Sequence, residues 1–523
     1  MGIEPAELVR RIWAKDPTVW LKGDAESATH KEIIDRLGWL RVAAVMEARA
    51  ADLSAFAREI KAAGFVRAVL LGMGGSSLAP LVFRQVCGTS SGLELEVADT
   101  TDPAAVRVIE AGGDLAKTLF IVSSKSGGTI EVDSLYRYFF QATGGKGGQF
   151  IAITDPGTAL EKMARENSFR RTFINPPDIG GRFSALSLFG LVPAALIGVD
   201  VAVLLARTVK MMRECDLNAA GRNPGLQLGM AMSRGWETGR DKVTLVADRH
   251  LEPLGLWVEQ LVAESTGKNG KGIVPVALEP LGDPSVYAGD RLFVSVSIND
   301  DATMEAKLSA LEGAGHPVVR IRMQDALDLG AEFFRWEFAT AVAGSIMEIN
   351  PFDQPNVQEA KKKTQEALAE LASSGKLPEP PSGNSASAVK GALASLKPGK
   401  DYIGILAFLP YDGGIDKALG GLQASLRSRF KVPVTRGFGP RYLHSTGQLH
   451  KGGANNGVFF VLACGHPSDL AIPGVPFSFA QLERAQALGD FASLEGKGRR
   501  VVWVGLPDSS SSSVAQAVAL FNP

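Results

Sequence analysis

The chain has 523 residues, 45% of them hydrophobic, which exceeds what one core needs and points to two or three domains. Its 55 Lys and Arg against 56 Asp and Glu leave a net charge of -1, so there is no electrostatic footprint for nucleic acid or an anionic membrane, and any basic group that matters acts locally. Cys87, Cys215 and Cys464 are too dispersed for a disulfide framework or a CxxC metal site, no apolar run approaches the ~18 residues of a membrane span, and no signal-peptide pattern opens the chain, so reduced thiols and a cytoplasmic location are expected.

Residues 1 to about 65 carry apolar side chains at helical spacing, Val9, Ile12 and Trp13, then Ile33, Ile34, Leu37 and Leu40, and are predicted helical. Arg67–Leu71 is a short apolar strand that runs into Gly72-Met73-Gly74-Gly75-Ser76-Ser77, and Leu78–Val86 is again helical. A strand, a glycine turn and a helix hold anions well, because backbone N–H groups can approach an oxyanion and the helix N-terminus favours negative charge. A dinucleotide fold competes for this pattern. Its fingerprint needs a third glycine where Ser77 stands, and its ribose acid falls about 20 residues on, whereas Asp99 is 27 beyond Gly72.

A second strand, Leu119–Ser123, ends in Ser124-Lys125-Ser126-Gly127-Gly128-Thr129 ahead of another helix. Loops at the carboxyl ends of parallel strands converge on one crevice, so both Ser/Thr/Gly loops can grip one phosphate, with Lys125 either adding charge or standing in solvent. Gln149–Thr154 is a third strand, closed by Asp155-Pro156-Gly157. Next, Gly180-Gly181 lets the backbone turn tightly so that Arg182 can point a guanidinium at a developing oxyanion, before an apolar stretch to Ile197.

From about 206 the βα rhythm repeats, with strands predicted at Val243–Asp248, Gly272–Leu278, Leu292–Ile298 and Pro317–Arg322. Between the first two, an apolar helical run, Leu254–Leu261, delivers Glu264 to a Ser/Thr/Gly turn, where a single carboxylate suits a general base. Gln260 lies one turn back on the same face. Asn350-Pro351-Phe352-Asp353-Gln354-Pro355 then opens a polar helix, in which Gln354 and Lys361 are predicted near one face, with Lys362 and Lys363 as a solvated continuation. Residues 373–400, rich in Ser, Pro, Gly and Lys, read as a linker or exposed excursion. Beyond it, strands at Tyr402–Phe408, Val458–Cys464 and Arg499–Gly505 make a third α/β unit. The Gly/Ser/Lys-rich loop 437–453 carries His444 and His450, six apart and without zincin spacing, so no metal site is expected there.

The segments GMGGSS, SSKSGGT, GGRFSALSLFGLVP, AESTGKNGKG and NPFDQPNVQEAKKK, in that order over roughly residues 65–365, resemble the glucose-6-phosphate isomerase family. The pattern including the tail looks closest to the isomerase half of transaldolase/glucose-6-phosphate isomerase fusions, and the 65 residues before the first motif leave no room for a transaldolase half, so a single activity is expected. The resemblance implies an α/β fold of two SIS-type doubly wound parallel-sheet domains, residues 1–205 and 206–375, plus a C-terminal α/β unit, 376–523. It implies Gly75 and Ser76 in the first sugar-phosphate loop, and Ser124, Ser126 and Thr129, with Lys125 in the same loop, on the phosphate. Arg182 would stabilise an enediolate, Gln260 would contact substrate, Glu264 would be the base, Gln354 would address the phosphate side and Lys361 would be the active-site lysine. A histidine in a Gln/His/Gly segment helps open the sugar ring in the family. His444 is the first choice here and His450 the alternate, although the segment lies about 90 residues after FDQ rather than before it. Asn356 and Gln358 also depart from the family pattern, where Gly or Ala and Glu are usual.

Aldose–ketose isomerisation needs ring opening, proton removal at C2, a stabilised enediolate and proton return at C1. One base performs both transfers, and neither cofactor nor metal is required. The expected ligand is a small sugar phosphate. The family's dimers, in which the histidine crosses from the partner, imply a homodimer, and a relocated histidine reaching its own chain is the alternative. A noncatalytic sugar-phosphate sensor, a nicotinamide dehydrogenase and an isomerase that also accepts mannose 6-phosphate are the competing readings.

Overall fold

The computed structural model describes residues 3–24, 27–88, 92–381 and 386–522. Four helices open it, Pro5–Trp13 (α1), Ala28–Ile34 (α2), Trp39–Glu47 (α3) and Ala50–Ala62 (α4), as the helical spacing predicts. The first sheet contains Arg67–Gly72 (β1), Glu94–Ala98 (β2), Thr118–Ser123 (β3), Phe150–Thr154 (β4) and Arg171–Ile174 (β5). All pairs are parallel and the order is β2-β1-β3-β4-β5. Helices Leu78–Cys87 (α5), Pro103–Ala111 (α6), Ile130–Ala142 (α7) and Ala159–Glu166 (α8) make the crossovers. β1 and β3 are buried along their whole length, as strands covered by helices on both faces must be.

Helices Leu188–Leu196 (α9), Val201–Glu214 (α10) and Pro224–Glu237 (α11) lead to a second parallel sheet. Its strands are Lys242–Ala247 (β6), Val274–Val276 (β7), Arg291–Ser297 (β8) and Val318–Arg322 (β9), in the order β7-β6-β8-β9. Its helices are Leu254–Thr266 (α12), Ala302–Gly313 (α13), Leu329–Ile346 (α14) and Val357–Ser374 (α15). One apolar cluster joins the N-terminal helices, the facing side of the first sheet, α9 to α12 and α14, with Trp39 against Phe183 at 5.2 Å and Trp257 against Phe333 at 4.6 Å. α14 is hydrophobic around most of its circumference because it lies inside this layer.

The third unit runs Ala386–Ala394 (α16), Tyr402–Phe408 (β10), Gly413–Phe430 (α17), Val434–Phe438 (β11), Gly447–Gly452 (α18), Gly457–Cys464 (β12), Phe479–Gly496 (α19), Arg500–Leu506 (β13) and Ser511–Ala519 (α20). Its sheet is parallel, ordered β11-β10-β12-β13. In all three sheets the second strand in sequence lies on one side of the first and the third lies on the other, which places a switch-point crevice beyond the carboxyl ends of the first and third strands.

Several local expectations need correction. β2, β5 and β11 were not predicted, because Glu94, Glu96 and Arg171 break the apolar run and β11 is interrupted by Arg436 and Gly437. The predicted strand 272–278 shortens to Val274–Val276, and the linker over 373–400 is shorter than composition suggests. α15 continues to Ser374, and Val389 and Leu393 of α16 bury against the third sheet's core. Residues 382–385 of that linker lie outside the described residues. Gln354 precedes the first turn of α15, so it does not share a helical face with Lys361. α15, grouped by sequence with the second sheet, packs along α19, and both helices bury Leu368, Leu371, Phe479 and Leu482 with Phe120 and Phe150 of the first sheet.

Candidate active site

The loops after β1 and β3 flank the first sheet's switch point. Gly74 adopts φ +55°, and a Cβ on Gly75 would lie 2.0 Å from the Gly181 carbonyl oxygen, so the first loop is pressed backbone to backbone against the segment that carries Arg182. Only glycine permits that approach. Ser76 is buried there, and its carbonyl accepts from Ser123 Oγ at 3.1 Å. In the second loop Ser124 Oγ lies 3.1 Å from Thr129 Oγ1 and accepts from Gly127 N at 3.1 Å, with Gly127 at φ +67°. Thr129 is the N-cap of α7, but its hydroxyl meets Ser124 instead of capping the helix. The hydroxyls of Ser124 and Thr129 thus meet at the start of α7, with Ser126 exposed on the same loop and its Oγ near Gly128 N at 3.5 Å, an arrangement that suits a phosphate. Lys125 is turned elsewhere. Its ammonium pairs with Asp155 at the end of β4 and donates to the Pro177 carbonyl at 3.3 Å.

Asp99, the acid a dinucleotide site would need, is held by both arms of the Arg441 guanidinium at 2.6 and 2.8 Å. It fastens the third unit to the first sheet and is not free for a ribose.

Glu264 sits in the last turn of α12, which continues to Thr266, so the carboxylate is carried by a buried helix and not by a turn. It is 4% exposed. Arg182 Nη1 is 3.6 Å from Glu264 Oε2, and Gln260 Nε2 donates to the same oxygen at 3.3 Å and to the His444 carbonyl at 2.8 Å. Burial raises the Glu264 pKa above the ordinary carboxylate value, against the pull of Arg182, His444, Lys268 and Gln260. Such a carboxylate accepts a proton more readily than an exposed one. The Arg182 guanidinium is buried and rigidly placed. Nε donates to Ser265 Oγ at 2.8 Å, and Nη2 donates to the carbonyls of Pro351 at 2.6 Å and Asp353 at 2.8 Å.

Lys268, four residues past Glu264, is a residue sequence reasoning missed within a motif it had found. Its buried ammonium donates to the carbonyls of Asn350 at 2.7 Å and Asp353 at 2.8 Å and to Asp353 Oδ1 at 2.5 Å. Burial and the neighbouring Arg182 push its pKa down to about 8. Two cations from separate motifs therefore hold the Asn350–Asp353 turn from below.

His444 ends a short helical turn, Arg441–His444, that follows β11. Its Nε2 faces Glu131 Oε1 at 2.8 Å, and Gln486 Nε2 donates to that same oxygen at 2.7 Å. Burial works to raise the Glu131 pKa, but the charge and hydrogen bond of His444, a backbone N–H and the charge of Lys361 outweigh it and hold the carboxyl below its ordinary value. The sequence signal for Glu131 was present, since it lies two residues after the SSKSGGT loop in the first turn of α7. For Gln486 there was none. Gly128, Thr129, Glu131, Lys361, His444 and Gln486 line a narrow pocket of about 90 Å³. Lys361 stands exposed at its edge on α15, and Gln354 is exposed in the preceding turn.

His450 is placed differently. It is 2% exposed, packed among Tyr402, Tyr442 and Phe459, and burial drives its pKa well below the ordinary histidine value. Next to it Gln448 donates to the Gly267 carbonyl at 2.9 Å and to Asn356 Oδ1 at 2.8 Å, while Asn356 N donates back to Gln448 Oε1 at 2.9 Å. Asn356, where the resemblance leads one to expect Gly or Ala, is thus a hydrogen-bond partner of the histidine segment.

Two Ser/Thr/Gly loops at a switch point, a buried carboxylate beside a guanidinium, and a histidine–carboxylate pair lining a pocket next to the second loop are an arrangement that suits a sugar-phosphate isomerase. The phosphoglucose isomerase family model matches residues 43–274. A glucose-6-phosphate isomerase of Rubrobacter xylanophilus is 31% identical over 393 residues, covering 63% of this chain and 88% of that protein, and one of Parasynechococcus marenigrum is 31% identical over 60% of this chain and 65% of its own length. The chain belongs to the glucose-6-phosphate isomerase family. Among solved structures, a glucose-6-phosphate isomerase of Chlamydia trachomatis shares the fold with a TM-score of 0.56 and 18% identity over 71% of this chain and 84% of that one. A Thermus thermophilus protein described as hypothetical does so at 0.59 and 23%, over 70% and 94%. Among the described residues no helix is long and apolar enough to cross a membrane.

Proposed function

We propose that the chain interconverts glucose 6-phosphate and fructose 6-phosphate through an enediolate, with Glu264 carrying the proton between C2 and C1. The observation that carries this reading is the buried Glu264 carboxylate, backed by Gln260 and set 3.6 Å from the Arg182 guanidinium at the edge of the Ser/Thr loops. The nonreacting phosphate binds at Ser124, Ser126 and Thr129, with Gly75 and Ser76 beside them, and that remote binding energy fixes C1 and C2 over the base. Arg182 stabilises the oxyanion as it forms. Its other nitrogens are already committed to Ser265, Pro351 and Asp353, so it need not reorganise during reaction. For ring opening, Glu131 holds His444 Nε2, which leaves Nδ1 to exchange a proton with the sugar, and Lys361 and Gln354 approach from the α15 side. Lys125, engaged with Asp155, supports the second loop from behind. The ring-opening histidine in this reading is the chain's own His444, which meets Glu131 directly, rather than one crossing from a partner.

The test is conversion of fructose 6-phosphate to glucose 6-phosphate, read through glucose-6-phosphate dehydrogenase, for wild type and Glu264→Gln. Loss of a positioned general base predicts a fall of at least about 10² to 10⁴ in kcat with sugar-phosphate binding retained. Wild type that binds the sugar phosphate without turning it over would replace this reading with the sensor, and a Glu264→Gln variant near wild-type rate would remove Glu264 from the chemistry.

A further inference from the structure

Away from the active site, the carboxyl ends of β12 and β13 frame a cleft of about 780 Å³, lined among others by Cys464, His466, Arg484 and Trp503. Beside it Asp102, Cys464 and His466 each offer one ligand atom, and these atoms lie within 4.8 Å of one another. We propose that these three residues bind a divalent transition-metal ion of the zinc class, with Glu483 fixing the imidazole and the cleft giving access to a fourth, water-held position.

The donor set is the first argument. A thiolate, an imidazole and a carboxylate together suit zinc, whereas hard cations such as magnesium or calcium prefer oxygen alone. The geometry is the second. Bond lengths of about 2.0–2.3 Å in a tetrahedron require ligand atoms about 3.4–3.6 Å apart, and His466 Nδ1 is 3.8 Å from Asp102 Oδ2, so the site closes with small rotamer adjustments. The third argument is the tautomer. His466 Nε2 lies 2.6 Å from Glu483 Oε2, which holds the proton on Nε2 and directs the Nδ1 lone pair toward Asp102. A carboxylate behind a histidine is the usual support of a metal-bound imidazole.

An independent observation points to a missing cation. Asp102 Oδ1 caps α6 by accepting from Ala105 N at 2.8 Å, but Oδ2 has no hydrogen-bond partner, and neither has Glu483 Oε1. The two residues are 0% and 1% exposed, and among the described residues neither is paired with Lys or Arg. Two buried carboxylates that share one imidazole, each with an oxygen lacking a hydrogen-bond donor, are costly, and a metal ion would satisfy the orphaned oxygen of Asp102 directly. The position also matters to the chemistry. Thr101, next to Asp102, donates to Gln486 Oε1 at 2.8 Å, and Gln486, one turn after Glu483 on α19, holds Glu131. An ion joining α6, β12 and α19 would therefore fasten the element that positions the His444–Glu131 pair, without touching substrate itself.

The experiment uses the untagged full chain, stripped with a chelator and titrated with Zn²⁺ against a chromophoric competitor, and in parallel loaded with Co²⁺. Wild type should bind one equivalent, and the cobalt form should show the near-ultraviolet absorption of a cobalt–thiolate bond. Cys464→Ser and His466→Gln, each checked for wild-type circular dichroism, should weaken binding by about 100-fold or more and Glu483→Gln by about 10–100-fold, with the thiolate absorption lost in Cys464→Ser. The rival arrangement is a protonated His466 bridging two acids without metal. It predicts no uptake by the stripped wild type, or uptake equal in wild type and variants, and either result overturns the proposal. If the variants misfold, the cobalt spectrum of wild type decides alone, a thiolate band supporting the site and its absence removing it.

Discussion

Glu131→Gln isolates the proposed ring-opening step from the proposed isomerisation step. The substitution keeps side-chain shape and removes the charge facing His444, whose Nε2 is 2.8 Å from Glu131 Oε1. The amide oxygen can still accept one hydrogen bond, but Gln486 Nε2, at 2.7 Å from the same oxygen, competes for it. A hydrogen bond to a charged group contributes about 1.5–3 kcal/mol, which at about 1.36 kcal/mol per decade is a loss of roughly 10- to 150-fold. The loss should fall mainly on ring opening, because Glu131 meets the His444 ring whereas Glu264 is contacted by Gln260 and Arg182, with only the His444 backbone carbonyl on Gln260 linking the two. The assay is turnover of glucose 6-phosphate deuterated at C2. Wild type should show a primary isotope effect on kcat, and in Glu131→Gln the rate should drop while the isotope effect shrinks toward unity, since a slower isotope-insensitive step then limits. The carboxyl of Glu131 is held below its ordinary 4.5, so its contribution to stability is complete above that pH and is lost only as pH falls further; an assay near neutrality does not confuse unfolding with chemistry. An unchanged rate, or a reduced rate with the full isotope effect, would refute the assignment.

Three further expectations rest on separate observations. Lys268, held down to about 8, grips Asn350 and Asp353, whose carbonyl Arg182 also uses, so kcat should decline on an alkaline limb with a midpoint near 8 that moves upward in Lys268→Arg; a limb unmoved by the variant would exclude Lys268 as its source. Glu259, raised to about 8 by burial against the Ala277 N–H at 3.3 Å and the charge of Arg436, binds a proton in the folded state between pH 4.5 and 8 that the unfolded state has lost. Stability from this group is therefore full below pH 4.5 and lost by pH 8, an upper bound of about 5 kcal/mol. Urea midpoints should show Glu259→Gln close to wild type at pH 4.5 and more stable at pH 9, and equal midpoints at pH 9 would contradict the burial argument. Gly75→Ala sets a Cβ 2.0 Å from the Gly181 oxygen, so a loss of about 1–3 kcal/mol or more is expected, with raised KM as the two loops separate; a variant with wild-type Tm and KM would show that the loops can part freely.

What could be read from sequence follows from how far apart the signals lie in the chain. The loops at 72–77 and 124–129, Arg182 and the Gln260–Glu264 pair were legible because each is a local pattern of strand, turn and helix, and parallel winding puts such patterns at one crevice. Roles that depend on distant partners were not. Lys125 looks like a phosphate ligand until Asp155, thirty residues on, claims its ammonium. Glu131 looks like an ordinary first-turn acid until α19 brings Gln486 against it. His444 and His450 were indistinguishable by spacing, and only the aromatic packing of Tyr402, Tyr442 and Phe459 removes His450 to the core. The missed strands carry charges because β2 and β5 are sheet edges and the exposed side of an edge tolerates Glu and Arg.

The displaced histidine segment follows from the third unit's docking. His444 lies 90 residues beyond Gln354, yet its carbonyl meets Gln260 and its ring meets Glu131, so a residue late in sequence is delivered to a crevice built by the first sheet. Three contacts hold that delivery: the two-armed Arg441–Asp99 pair, the reciprocal amides of Gln448 and Asn356, and the α15–α19 packing. None needs a partner subunit. In the proposed mechanism the base and the phosphate loops come from two sheets and the ring-opening group from a third. In that reading Glu264 and Arg182 stand fixed in the buried layer beneath, so neither has to reorganise when the sugar phosphate binds above them.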